Sequence, residues 1–273
     1  MKRKNTYLSV LIFSILVSTI GVAILYFYLF SHIIDTLETV DGMWYILYII
    51  IFRMVVLSVL TIYMFRVWFR QEKQYLTDIP FLFALFFIIL IYGKSLDILV
   101  NFTYFNLPKD QFFTLLKLRH FIVVLNMLPL VFFSLEMILY ALSLKEKYQK
   151  LSDENYRDKI RKVIIIIICV SESAVIILNN NITISSVYIA IFVFPVLIII
   201  IWVFYFAHRN KRLSQINAKI LIYGFGLYLI SQFLRPILHI QLGEIPYFII
   251  IAEIVDLIAF IIIFIGLRKK ANY

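Results

Sequence analysis

Long apolar runs alternate with short polar links along the whole chain. Eight runs, approximately residues 7–30, 44–69, 81–102, 121–144, 163–178, 185–206, 220–240 and 247–267, are long enough or nearly so to cross a bilayer, for which a helix needs about 20 apolar residues. They lack the period-2 alternation of a membrane barrel. Inside lipid a backbone must satisfy its own hydrogen bonds, so each run predicts a helix. The expected architecture is all-α: a polytopic transmembrane helical bundle of eight spans, one transmembrane domain over 1–273 with no soluble domain. The fifth run is the shortest.

Composition agrees with the pattern. The chain is 63% hydrophobic and 15% charged over 273 residues, whereas soluble domains run at about 45–50% apolar and about 25% charged. The excess has to face lipid. A net charge of +10 would suggest nucleic acid in a soluble protein. Here the basic residues fall between apolar runs, the pattern of membrane topology, and no nucleic-acid role is expected. The opening MKRKN precedes an apolar run well beyond the roughly 7–15 residues of a signal-peptide core, so it reads as an uncleaved first span. Cys169 is the only cysteine, which leaves no intramolecular disulfide and no thiolate metal site to expect.

The basic residues also set orientation. Lys2, Arg3 and Lys4 precede span 1, and Arg70 and Lys73 follow span 2. Lys145, Lys147, Lys150, Arg157, Lys159, Arg161 and Lys162 follow span 4. Arg209, Lys211, Arg212 and Lys219 follow span 6, and Arg268, Lys269 and Lys270 follow span 8. The alternate links hold only Lys109, Lys117 and Arg119. Cytoplasmic links are enriched in Lys and Arg, so both termini are expected in the cytoplasm of an integral cell-membrane protein, with an even number of spans. Omitting span 5 would put the link of Asn179, Asn180 and Asn181 on the basic side and break the alternation. The mixed-charge link 145–162 reads either as a helical extension along the lipid headgroups or, together with 207–219, as a docking surface for a cytoplasmic or membrane partner.

Ile89–Gly93 (ILIYG) recurs as Ile220–Gly224. At the same offset Leu96 matches Leu227, Phe102 matches Phe233, and Asn101 corresponds to Gln232. A parallel 4+4 duplication would produce this, with Tyr92 and Tyr223 equivalent. Coincidence in Ile- and Leu-rich spans would produce it as well.

The polar positions inside the spans are the candidate chemistry. Lys94, Asp97 and Asn101 share one helical stripe at i, i+3, i+7. Arg53, Arg235, Glu253 and Asp256 lie at comparable depth, within about 8 Å of the span centres at a rise of about 1.5 Å per residue. Gln232, Arg235 and His239 share a face beside Pro236, whose ring frees a backbone carbonyl. A charge facing lipid costs on the order of 3 kcal/mol by insertion scales, so one polar cluster open to the outside is expected from Arg53, Lys94, Asp97, Asn101, Gln232, Arg235, His239, Glu253 and Asp256. Either it holds a ligand or ion, or its members are charge pairs that fix helix register. Glu136 and Glu172 either continue a proton path toward Asp256 or hydrogen-bond locally beside Ser134, Ser171 and Ser173. Ser14, Ser18 and Gly21 form a small-residue stripe suited to close helix contact, and Trp44 and Trp68 bracket span 2 as interfacial anchors.

No nucleophile–base spacing, paired-histidine motif or phosphate-cradling glycine loop is present, so neither enzymatic activity nor a metal or cofactor is expected. Three function classes stay open. The first is a sensor- or receptor-like ligand-binding module acting through a separate partner. The second is a small transporter of an ion or polar solute, in which acids such as Asp97, Glu172 and Asp256 could carry protons. The third is a structural subunit of a membrane complex.

Overall fold

The structure, a computed structural model, describes residues 2–179, 182–242 and 247–271, with side chains over 6–179, 187–235 and 249–271. Asn180, Asn181, Glu244 and the side chain of His239 lie outside this range. The described residues form helices α1 (Lys2–Thr39), α2 (Met43–Phe69), α3 (Ile79–Thr103) and α4 (Lys109–Ser143), a 3-10 turn at Glu146–Ser152, then α5 (Glu154–Leu178), α6 (Ile182–Arg209), α7 (Ala218–Leu242) and α8 (Tyr247–Arg268). Each apolar run of the sequence falls on one helix, the fourth running one residue past the end of α4.

Among the described residues, six helical segments are long and apolar enough to cross a membrane: Thr6–Thr39, Met43–Phe69, Ile79–Thr103, Lys109–Ser143, Val187–Arg209 and Ile249–Arg268. The chain is thus an all-helical membrane protein. Charge keeps α5 out of this set: it opens with Glu154, Arg157, Asp158, Lys159, Arg161 and Lys162. The six are apolar on both faces, as helices between a core and lipid must be. On α2, Ile46, Ile50 and Leu57 are fully buried while Phe52, Val55, Val59 and Ile62 are exposed.

Several helices run past the apolar runs. Polar ends satisfy their backbone in the helix as well as loops do, and local caps set the stops. Gly42 enters α2 at φ 87, where a side chain would be strained. Pro80 sits in the first turn of α3. The Asp153 carboxylate accepts the Asn155 backbone N–H at 3.0 Å to start α5.

The chain divides into two compact units, Met1–Asn126 and Met127–Tyr273, with the boundary inside α4. In unit 1, Phe83, Phe86 and Phe87 of α3 pack as a ring cluster with centroids 5.5–6.5 Å apart, and α1 is pinned along α3 by hydrogen bonds. Tyr92 donates to the Ile15 carbonyl at 3.0 Å, Tyr26 to the Ser95 carbonyl at 2.9 Å and Thr36 to the Phe102 carbonyl at 2.7 Å. Tyr223, the counterpart of Tyr92 in the ILIYG repeat, is 63% exposed on α7. Ser14, Ser18 and Gly21 are exposed, since the hydrogen-bonding face of α1 is the neighbouring one through Ile15, Thr19 and Tyr26. Trp68 is not an interfacial anchor. It is 1% exposed, its ring lies against Phe81 at 4.6 Å, and its indole N–H donates to the Tyr75 carbonyl and the Asp78 carboxylate. The turn after α2 folds back over it and supplies the acceptors a buried indole needs.

In unit 2, Leu197, Ile200 and Phe204 of α6, Leu221 and Phe225 of α7, and Ala259, Phe260 and Ile263 of α8 are fully buried. Phe204 stacks with Phe133 at 5.5 Å and with Phe225 at 5.8 Å. Helices α7 and α8 approach closely through two glycines. A Cβ at Gly224 would lie 2.7 Å from Ile263 Cγ1, and one at Gly266 would lie 2.8 Å from Leu221 Cγ.

Candidate functional site

Buried charge is found in both units. In unit 1, Asp97 accepts from two cations: Lys94 Nζ lies 2.7 Å from Oδ2 and Arg119 Nε 2.5 Å from Oδ1. The side chains of Lys94 and Asp97 are 7% and 13% exposed, that of Arg119 32%. The Lys94–Asp97 pair follows from i, i+3 spacing on α3. Arg119 is the member that the sequence reading missed. The polar stretch Lys117–His120 reads as a link, but α4 starts at Lys109 and carries it as helix, which brings Arg119 onto α3. His120, next to it on the same helix, is 1% exposed. Arg53 is buried on α2 in this unit and Asn101 is half-buried on α3.

In unit 2, Arg235 Nη2 lies 3.0 Å from Glu253 Oε1 and 2.5 Å from Asp256 Oδ2. Gln232 Nε2 donates to Asp256 Oδ1 at 3.4 Å. The two carboxylate side chains are 2% and 1% exposed, Arg235 26%. The i, i+3 spacings Gln232/Arg235 and Glu253/Asp256 put each pair on one helix face, and the close approach of α7 and α8 brings the faces together. Of the residues singled out from sequence, Lys94 and Asp97 meet in unit 1, and Gln232, Arg235, Glu253 and Asp256 meet in unit 2. A bidentate-capable guanidinium on a buried carboxylate suits recognition of carboxylate or phosphate groups.

A further charged group lies at the other end of unit 2. Arg161 on α5 pairs with Glu136 on α4 and with Asp158 one turn back, and its guanidinium lies 4.1 Å from the centroid of Phe132. The Arg161 side chain is 7% exposed, the two acids about a third. Glu136 is therefore an ion-pair partner of a residue from the mixed-charge stretch 145–162. Glu172 is half-buried on α5, and the Ser171 hydroxyl donates to the Ile168 carbonyl of its own helix. Arg161→Ala removes the cation on Glu136 and leaves Asp158 only the exposed Lys162 at 2.9 Å; it is expected to cost about 2 kcal/mol, with faster hydrogen exchange in the first turns of α5. Arg161→Lys should fall between, since an ammonium lacks the fork that serves both acids. Unchanged exchange at residues 154–165 in Arg161→Ala would show that this contact does not hold α5.

Among the described residues no group of three or more His, Cys, Asp or Glu side chains is arranged to hold a metal ion. No protein-family model, curated protein or solved structure matches the chain.

Proposed function

We propose that the chain is a sensor- or receptor-like ligand-binding module of the cell membrane, with eight spans, both termini in the cytoplasm and no catalytic activity of its own. One observation carries this reading. In both units a buried carboxylate is held by an arginine that stays partly exposed: Arg119 on Asp97, and Arg235 on Glu253 and Asp256. An anionic group arriving from the membrane surface can reach the guanidinium without first unburying the acid. By competing for it, the ligand would loosen α4 from α3 or α7 from α8. A small carboxylate, phosphate or phosphorylated lipid headgroup has that chemistry. The links 145–162 and 207–219 would pass the change to a separate partner.

The test is thermal unfolding of the purified full chain in nanodiscs, with inorganic phosphate, small carboxylates and a short-chain phospholipid as probes. A ligand that binds only the folded state raises the midpoint. The shift should vanish in Arg119→Gln or in Arg235→Gln. If no probe shifts the midpoint, or if both variants respond as the parent does, the reading fails.

Small-solute transport is the second reading, supported by the seclusion of Glu253 and Asp256 beside Gln232 between two helices. Acids shielded to that degree resemble proton-carrying sites in membrane helices. Transport predicts loss of flux in Asp97→Asn or Asp256→Asn at normal expression. Normal flux in both removes it.

A further inference from the structure

Three basic segments distant in sequence are held at one end of unit 2. Arg212, in the link between α6 and α7, donates to the Tyr140 hydroxyl at 2.9 Å and lies 5.2 Å from its ring centroid, one turn before α4 ends and the 145–162 link begins. The Asn217 backbone N–H donates to the Gly266 carbonyl at 2.8 Å, and that of Ala271 to the Ser214 carbonyl at 3.3 Å, which ties the basic tail to the same link. The link itself is tightly turned, with left-handed backbone at Lys211 (φ 50) and Leu213 (φ 61). Lys145, Lys147, Lys150, Lys159 and Lys162, Arg209, Lys211 and Lys219, and Arg268, Lys269 and Lys270 are all exposed around this end.

The acids of the region offset only part of this charge: Glu146, Asp153 and Glu154 are exposed in the first segment, but the three segments hold 14 basic residues to 4 acidic ones. Asp158 is taken by Arg161 and Lys162, and Glu136 by Arg161. Exposed Leu144, Tyr148 and Tyr156 lie among the lysines, and the Lys147 ammonium lies 5.8 Å from the Tyr148 ring centroid. Lysines interleaved with tyrosines, next to where apolar helices end, is the composition of a headgroup-level belt.

From this we infer that the combined surface of 145–162, 207–219 and 266–271 is a seat for anionic phospholipid headgroups, which gathers acidic lipid around this end of unit 2. Clustered lysines and arginines beside a span attract acidic lipid by the phosphate charge, and ammonium and guanidinium groups donate to phosphate oxygens. A protein partner reaching these links would do so over a leaflet already held by them. The seat does not depend on the sensor reading or on which side of the membrane this end faces.

Trp202 offers the probe. It is 49% exposed on α6 and seven residues before Arg209, about 10 Å into the bilayer along the helix. The full chain and its Trp202→Phe variant are reconstituted with phosphatidylcholine or phosphatidylglycerol brominated on the acyl chains, and the difference in fluorescence isolates Trp202. Brominated phosphatidylglycerol should quench Trp202 with an association constant on the order of fivefold above that of brominated phosphatidylcholine, the factor for one engaged basic residue. The preference should disappear at about 1 M salt, where the screening length is about 3 Å, and shrink in Lys147→Gln combined with Arg209→Gln and Lys211→Gln. The salt series needs no variant and stands even if the triple variant does not fold. Equal quenching by the two lipids at low salt overturns the seat, as does a preference that survives high salt. Equal quenching combined with cross-linking of Lys145–Lys162 to a protein assigns the surface to a protein partner instead.

Discussion

Asp97→Asn is expected to destabilise the protein by about 3 kcal/mol, the lower end of the cost of breaking a buried ion pair. In the parent, one carboxylate accepts from Lys94 at 2.7 Å and from Arg119 at 2.5 Å. The neutral amide withdraws the one negative charge that both cations share, in a site where Lys94 is 7% exposed. The lower end applies because Arg119 is about a third exposed and can turn toward water. The rescue discriminates between lost packing and stranded charge. Adding Lys94→Met to Asp97→Asn removes one of the two cations at nearly constant volume, so the double variant should be more stable than Asp97→Asn alone. Such coupling is what a double-mutant cycle measures. Thermal unfolding of the four proteins in nanodiscs gives the result. Equal midpoints for parent and Asp97→Asn would remove the cluster from the account of what holds α3 to α4, and with it the competition on which the sensor reading depends.

The helices were legible because a membrane imposes a length and forbids unsatisfied backbone, so each apolar run had one outcome. The ends were not legible. Nothing in Lys117–His120 distinguishes a polar loop from a helix that continues past the lipid, and that ambiguity hid Arg119 from the site. The helical extension read as one alternative for 145–162 is what α5 provides from Glu154 on, but the pattern did not show that it buries Arg161 against Phe132. Pairs within one helix, such as Lys94 and Asp97, can be read from i, i+3 spacing. Pairs between helices, such as Arg119 with Asp97 or Arg235 with Asp256, depend on rotation about each helix axis, which a chain apolar on all faces does not encode in its pattern. Trp68 shows the same limit. Its position at the end of an apolar run matched a lipid-interface anchor, and only the fold of Tyr75–Asp78 back onto it supplies its buried hydrogen bonds.

Gly224→Ala should separate α7 from α8 and cost about 2 kcal/mol net, while Gly226→Ala, two residues on, should be neutral or slightly stabilising. A Cβ at Gly224 would meet Ile263 Cγ1 at 2.7 Å and, at 2.9 Å, the Ile263 backbone nitrogen. The side-chain atom can rotate away but the backbone cannot, so α8 has to shift. Overpacking of this kind typically costs 1–3 kcal/mol and sometimes more, against a gain of up to about 1 kcal/mol for alanine over glycine in a helix. Gly266→Ala meets Leu221 at Cγ, Cδ2 and the backbone nitrogen, from 2.8 to 3.1 Å, and should behave alike from the opposite helix. Gly226 has nothing within 4 Å of its Cβ position, and Gly93, whose Cβ would sit 3.4 Å from Ile122 Cγ2, falls between. Ile263→Ala added to Gly224→Ala should rescue only part of the loss, because the contact with the Ile263 nitrogen remains. The shift should also reach the charges, since Arg235 meets Glu253 and Asp256 only while α7 and α8 stay close. A variant that keeps its fold should then lose the response to anionic probes at Arg235 more than the response at Arg119. Unchanged stability in both Gly224→Ala and Gly266→Ala would mean that the two helices are not held at glycine distance, and the Arg235 pairs would lose the framework that positions them.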